Sequence, residues 1–235
     1  MSRFLHAILL LTACLFTLSA NASITVGGTR LIYNGEENEA SISVSNTKDS
    51  VPYLIQSWIE LEENSTAKVP FIVTPPLFRL DGEHENTLRI IYTGEQALPQ
   101  DRESLFWLNV KSIPSMEKSD RNRLLIAVKT RLKLFYRPAT LATDRANDAW
   151  KNLHYERSGD RIVISNPTPY YVSLFSLKSG SQSVEHPPMI APFGKAYVTA
   201  AGRDVTWKAI NDFGGVTEEA RQLSHVIRAG KQSED

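Results

Sequence analysis

The stretch RLLIAVKTRLKLFYRP, residues 123–138, decides the fold class because its apolar side chains recur at every second position. Leu124, Ile126, Val128, Thr130, Leu132, Leu134 and Tyr136 line one side of an extended chain, the periodicity of a β-strand. The positions between them are mixed. Leu125, Ala127 and Phe135 are apolar, whereas Lys129, Arg131, Lys133 and Arg137 place four cations within nine residues. From residue 124 to residue 136 such a strand would run roughly 40 Å, about twice the usual length. The excess predicts that part of it pairs with something outside its own sheet.

The flanking sequence has the same character. Short β-branched and aromatic runs at 24–33, 40–45, 53–60, 71–74, 85–92 and 104–110 precede the long strand, separated by Asn34-Gly35, Pro75-Pro76 and Asp81-Gly82. TDRANDA, residues 143–149, is polar and lacks a strand pattern, so it reads as a linker. A second series follows at 150–156, 161–165, 170–177, 196–200, 205–210 and 223–228. No comparable stretch has a helical period. The expectation is an all-β chain of two sandwiches joined by a short linker.

Residues 1–22 read as a cleaved secretory leader, with Arg3, an apolar run over 7–18 and the small-x-small pattern Ala20-Asn21-Ala22. The run falls short of the roughly 20 apolar residues that span a bilayer. Cys14, the single cysteine, lies within it, so residues 23–235 can form no disulfide, thiol nucleophile or zinc-thiolate site. The chain has 26 basic and 26 acidic residues, and losing Arg3 with the leader leaves a net charge near −1. Nothing global points to nucleic acid or anionic lipid.

Signals for catalysis are thin. His84, His154, His186 and His225 are scattered and belong to no metal-binding spacing. Glu83-His84-Glu85 follows a turn, and strand geometry would send His84 to the face opposite both carboxylates. Asp212-Phe213-Gly214 matches a kinase signature by letter only, without a phosphate loop. No catalytic residue, metal or cofactor is expected.

The cations of the long strand have two readings. Natural sheets place lysine on exposed edges to discourage aggregation, and Lys129, Arg131, Lys133 and Arg137 could be such an edge. Alternatively, Arg30, in the context Gly-Gly-Thr-Arg, could join a basic position on the long strand. A cationic pocket at the end of an apolar edge would suit an extended peptide with a free terminal carboxylate.

Six segments carry a resemblance to a known family: TRLIYNG (29–35), PYLIQSWIE (52–60), TPPLFRL (74–80), PQDRESLFWLN (99–109), KLFYRP (133–138) and NPTPYYV (166–172). In this order they resemble the periplasmic pilus-assembly chaperones of the chaperone-usher pathway. The resemblance implies two immunoglobulin-like β-sandwich domains joined at an angle, over 23–142 and 150–235, with the linker at 143–149. It implies a periplasmic protein that lends a strand to incomplete pilus subunits and delivers them to an outer-membrane usher. Arg30 and Lys133 would hold the subunit's terminal carboxylate, while Leu124, Ile126 and Val128 would fill its groove. Glu103, Arg137 and Asp212 would form an interdomain salt-bridge cluster. The apolar strand would favour a self-capping dimer when free.

Some points depart from the family or stay open. Family members sometimes carry a disulfide in the second domain, and this chain cannot. It is nearly neutral where many relatives are basic, and Ser115 stands where a second proline is common. The segment 114–122 is short, which resembles the branch that builds rod-like or tipped pili. Lys133 has odd parity and the three apolar anchors even parity, so a bulge between Val128 and Lys133 would be needed to bring them to one side. The anchors could also belong to the chain's own core. The rival function is a secreted adhesive or carbohydrate-binding module using Trp58, Trp107, Trp150 or Trp207, although in strands these positions suit a core.

Overall fold

Glycine and proline decide where the chain crosses between sheets. The computed structural model describes residues 24–47, 51–116, 124–223 and 225–226, so the leader expected at 1–22 and most of the segment 114–122 lie outside the described residues. The run expected as one strand over 24–33 is two: β1 (Ile24–Val26) and β2 (Arg30–Asn34) lie in opposite sheets. Gly27 and Gly28 make the crossing. A Cβ on Gly27 would sit 2.5 Å from the Ser43 hydroxyl, so a side chain would block the approach.

The remaining strands of the first sandwich are β3 (Ala40–Asn46), β4 (Tyr53–Glu60), β5 (Phe71–Thr74), β6 (Leu77–Leu80), β7 (Glu85–Tyr92), β8 (Ser104–Pro114) and β9 (Val128–Arg137). Pro75-Pro76 performs a second crossing, which sequence reading took only as a break. Proline cannot donate to a ladder, so β5 ends in one sheet and β6 begins in the other, against β4. One sheet runs β1-β3-β7-β5 and the other β2-β9-β8-β4-β6. Val44, Ile55, Leu88, Ile90, Leu108 and Leu134 fill the space between them. Tyr33, Phe71, Tyr92 and Tyr136 close one end as an aromatic cluster.

After β9, Thr143–Ala146 forms a short helix, α1, and Ala149–Asn152 a 3₁₀ turn. The turn replaces the first part of the strand expected at 150–156. Trp150 is drawn into the second core, where its carbonyl accepts the Trp207 Nε1–H at 3.0 Å. The second sandwich contains β10 (His154–Ser158), β11 (Arg161–Ser165), β12 (Val172–Ser179), β13 (Gln182–Ser183), β14 (Met189–Ile190), β15 (Lys195–Thr199), β16 (Asp204–Ile210), β17 (Ala220–Leu223) and β18 (His225–Val226). Its sheets run β15-β11-β10-β18 and β13-β12-β16-β17, with β14 also on β12. Tyr155, Ile162, Ile164, Leu177 and Trp207 form its core.

The long strand is shorter than its sequence pattern suggests. β9 begins at Val128, and residues 124–127 pair with no strand among the described residues. The β8–β9 register is unbroken from Ser104↔Tyr136 to Ser112↔Val128, so the bulge considered between Val128 and Lys133 is absent.

Candidate functional site: an open strand edge ending in a cationic pair

β9 has one neighbour along its first half and two along its second. β8 flanks it from Val128 to Tyr136, but β2 pairs with it, in parallel, only from Lys133 to Arg137. On the β2 side, Val128 to Leu132 present an open edge. The even positions show where the chain's own core stops. Leu132, Leu134 and Tyr136 are buried, whereas Val128, Ile126 and Leu124 are 56%, 64% and 85% exposed. The chain's own core therefore does not include these three. They prolong its apolar face beyond the rim of the sandwich, an arrangement that costs free energy unless something covers it.

In the second half of β9 the odd positions Lys133, Phe135 and Arg137 face the second domain, so Lys133 and the even-numbered apolar residues stand on opposite faces of the strand without a bulge. Lys133 stands directly in register with Arg30 at the start of β2. The Lys133 ammonium donates to Ser173 Oγ at 3.4 Å, and Arg30 Nη1 donates to the Ile210 carbonyl at 3.1 Å. The Arg30 guanidinium also lies 5.7 Å from the Phe135 ring centre, and its Nε is buried without a partner. Among the described residues neither cation has a carboxylate within salt-bridge distance. Burial, and then the Arg30 charge, pull the Lys133 amine below the ordinary lysine range. Burial lowers Arg30 as well, against the favourable fields of Asp212 and Glu103. Two half-buried cations side by side leave a concentration of positive charge that an anion would neutralise.

Lys129 and Arg131, by contrast, are already neutralised. Lys129 pairs with Glu63 at 3.3 Å. Arg131 lies between Glu60 and Glu63 at 3.5 and 3.6 Å and stacks 4.0 Å above the Trp107 ring. Only tertiary contact separates these two from Lys133, whose charge stays available.

Arg137, 2% exposed, ties the domains together. Its Nη2 and Nε donate to Glu103 Oε1 at 2.8 and 2.9 Å, and its Nη1 and Nη2 reach the Asp212 carboxylate at 2.9 and 3.1 Å. The second oxygen of Glu103 accepts the Tyr171 N–H at 2.8 Å, and the Glu103 N–H donates to the Pro169 carbonyl at 2.9 Å. Burial opposes charge on Arg137, but its bonds to Asp212 and the Glu103 charge prevail and hold it above the usual arginine range. Burial pushes the Glu103 carboxyl up, with Arg137 pulling against it. Asp212 is placed by a tight loop in which Asn211 Oδ1 accepts the N–H groups of Phe213 and Gly215. Gly214 adopts φ +82°, and a Cβ there would run into the Thr29 hydroxyl, leaving no room for a side chain.

Sequence reasoning missed the second domain's share of the cleft. Tyr171 packs on Phe135 with ring centres 5.5 Å apart, and Ser173 receives the Lys133 hydrogen bond. Their alternation in Tyr171-Val172-Ser173 was the available signal, because buried Val172 leaves its two neighbours on the opposite face. The aromatic residues considered for a sugar site are otherwise engaged. Trp150 and Trp207 are in the second core, Trp107 lies beneath Arg131, and Trp58 Nε1 donates to Glu60. His84 bonds to the Gly82 carbonyl, and Glu85 accepts from Ser45. Among the described residues no group of three His, Cys, Asp or Glu could hold a metal.

Known proteins resemble this chain in sequence and in fold. Residues 23–142 match the family described as "Pili and flagellar-assembly chaperone, PapD N-terminal domain", and residues 148–221 match "Pili assembly chaperone PapD, C-terminal domain". The chain is 41% identical over 218 residues to chaperone protein FimC of Escherichia coli K12, covering 91% of this chain and 89% of FimC. It is 42% identical over 206 residues to chaperone protein FocC of Escherichia coli, covering 85% and 89%. Among solved structures it resembles the periplasmic chaperone SfaE (TM-score 0.72, 40% identity, 85% and 99% covered). It also resembles a chain of the Salmonella enterica SafA pilin–SafB chaperone complex (TM-score 0.76, 30% identity, 87% and 98% covered). The chain belongs to the PapD family of pilus-assembly chaperones.

Proposed function

We propose that this protein is a periplasmic chaperone that captures incomplete pilus subunits by lending them residues 124–132 as a strand, and passes them to an outer-membrane usher. The carrying observation is the open edge of β9, with an exposed apolar face at one end and the Arg30–Lys133 pair at the other. Strand addition is an established recognition mode of chaperone–pilin pairs, and the mechanism is taken from there.

The register supports a direction for the client strand. β2 enters the lane beside β9 at Arg30, opposite Lys133, and runs parallel to β9. A client strand in the same lane that ends against these cations runs as β2 does, parallel to β9. Its terminal carboxylate replaces bulk water around Arg30 and Lys133 with a charge-assisted contact. Backbone groups along Val128 to Leu132 supply the ladder, and Leu124, Ile126 and Val128 enter the client's core. Burying three such side chains contributes on the order of 5–9 kcal/mol before the costs of association. The open, apolar edge is also the surface through which two free copies would cap each other. No nucleotide or metal takes part.

The test is copurification. The tagged protein is expressed in a periplasm together with pilus subunits and compared with Arg30→Ala and Lys133→Ala. A subunit held by the wild type and lost from both variants is the expected result. Equal recovery from all three would refute carboxylate anchoring.

A further inference from the structure

The apolar face of β9 is interrupted at one place, where the chain's own core ends. Leu132, Leu134 and Tyr136 are buried in that core, and Leu124, Ile126 and Val128 are bare. Thr130 stands between the two sets on the same face and is exposed. Across the ladder the change from apolar to hydroxyl residues recurs. Phe106, Leu108 and Val110 of β8 are buried and apolar, and the next residue on their side is Ser112, also buried. Val110 is in register with Thr130 and Ser112 with Val128, so the two hydroxyl residues are diagonal neighbours across the strand pair. The Ser112 hydroxyl donates to the Val128 carbonyl at 3.2 Å, which ties the first residue of β9 to the chaperone's own sheet.

We infer that Thr130 and Ser112 form a hydroxyl collar that separates the chaperone's core from the client's, and that the collar sets how readily a client is given up. This rests on the strand-lending reading above. Without a polar break, the stripe from Leu124 to Tyr136 would be one apolar face shared by two proteins. Withdrawing the client would then expose the rim of the chaperone's own core around Leu132 and Val110. With the break, the lent set is limited to three side chains, and the chaperone's core stays closed whether or not the lane is filled. Thr130 thereby weakens retention and favours exchange.

The substitution Thr130→Val tests this, because it keeps the shape of the side chain and replaces the hydroxyl by a methyl. Thr130 is exposed in the free protein, so its melting temperature should not change. The subunit that copurifies with the wild type is labelled, and its loss is followed on adding excess synthetic peptide with alternating apolar residues as a competing strand. Thr130→Val should slow exchange about fourfold, the effect of one newly buried methyl, while Thr130→Ser, which keeps the hydroxyl, should not slow it. Equal rates for wild type and Thr130→Val would overturn the collar and leave the proposed function standing. Failure of the wild type to retain any subunit would remove both.

Discussion

Replacing Arg137 by alanine should cost about 3 kcal/mol of stability, and the structure indicates where the cost arises. The guanidinium lies between two carboxylates in unequal surroundings. Asp212 has a partly exposed side chain and can recover water when its partner is lost. Glu103 is only 4% exposed and would keep the Tyr171 N–H as its remaining donor to the carboxylate. Breaking a buried pair by removing one partner typically costs ~3–5 kcal/mol, and rehydration of Asp212 argues for the lower end. Urea denaturation followed by tryptophan fluorescence of both domains is the assay. Because the cost is a stranded charge, the double variant Arg137→Ala/Glu103→Gln should recover most of the loss. The pH dependence has a definite sign. Without Arg137 the Glu103 carboxyl, already raised by burial, rises further. The deficit is therefore full above that raised value and shrinks as pH falls through it toward the ordinary carboxylate range, where folded and unfolded states are both protonated. A loss under about 1 kcal/mol, or a double variant worse than the single one, would refute the reasoning.

The cationic pair and the lent strand should separate stability from capture. Lys133→Met should leave the melting temperature of the free protein unchanged or raised, because burial and Arg30 both disfavour the ammonium there, while client capture is lost. A fall of more than about 4 °C would contradict it. Client affinity should be constant below the depressed amine value of free Lys133 and fall as pH rises through it, since a bound carboxylate raises that value and binding then takes up a proton; calorimetry in two buffers measures the uptake. Ile126→Ser should leave the free protein within about 0.5 kcal/mol of wild type, because Ile126 is exposed, yet weaken capture by about 1.5–3 kcal/mol in a pull-down titration.

The free protein carries its site at a cost to itself. Three large apolar side chains stand in water, and two half-buried cations have no carboxylate within salt-bridge distance among the described residues. On the proposed function both features would become favourable when one ligand brought an apolar groove and a terminal carboxylate together. On that proposal stability and function are opposed at these residues, in contrast to Arg137, whose ion pairs join β9 to Glu103 and Asp212.

Alternation along the chain was enough to identify an all-β architecture, because the period-two pattern of the stretch at 123–138 and its companions is imposed by the backbone itself. Alternation alone offered no more than a possible basic pair at the end of an apolar edge; Arg30, Lys133 and the anchors Leu124, Ile126 and Val128 were named by the resemblance of the surrounding segments to pilus-assembly chaperones. Other features depended on contacts far apart in sequence. Gly27-Gly28 lay inside a single expected strand and Pro75-Pro76 read only as a break until β1, β2, β5 and β6 were seen to occupy different sheets. Parity showed that Lys133 and Val128 face opposite ways, but only the unbroken β8 register and the second domain behind Lys133 gave both faces a use. Four similar cations on one strand became three kinds of residue: Lys129 and Arg131 neutralised by Glu60 and Glu63, Arg137 buried between two carboxylates, and Lys133 left without one. A side chain's charge is written in the sequence, whereas its availability depends on what the folded chain brings within a few ångströms of it.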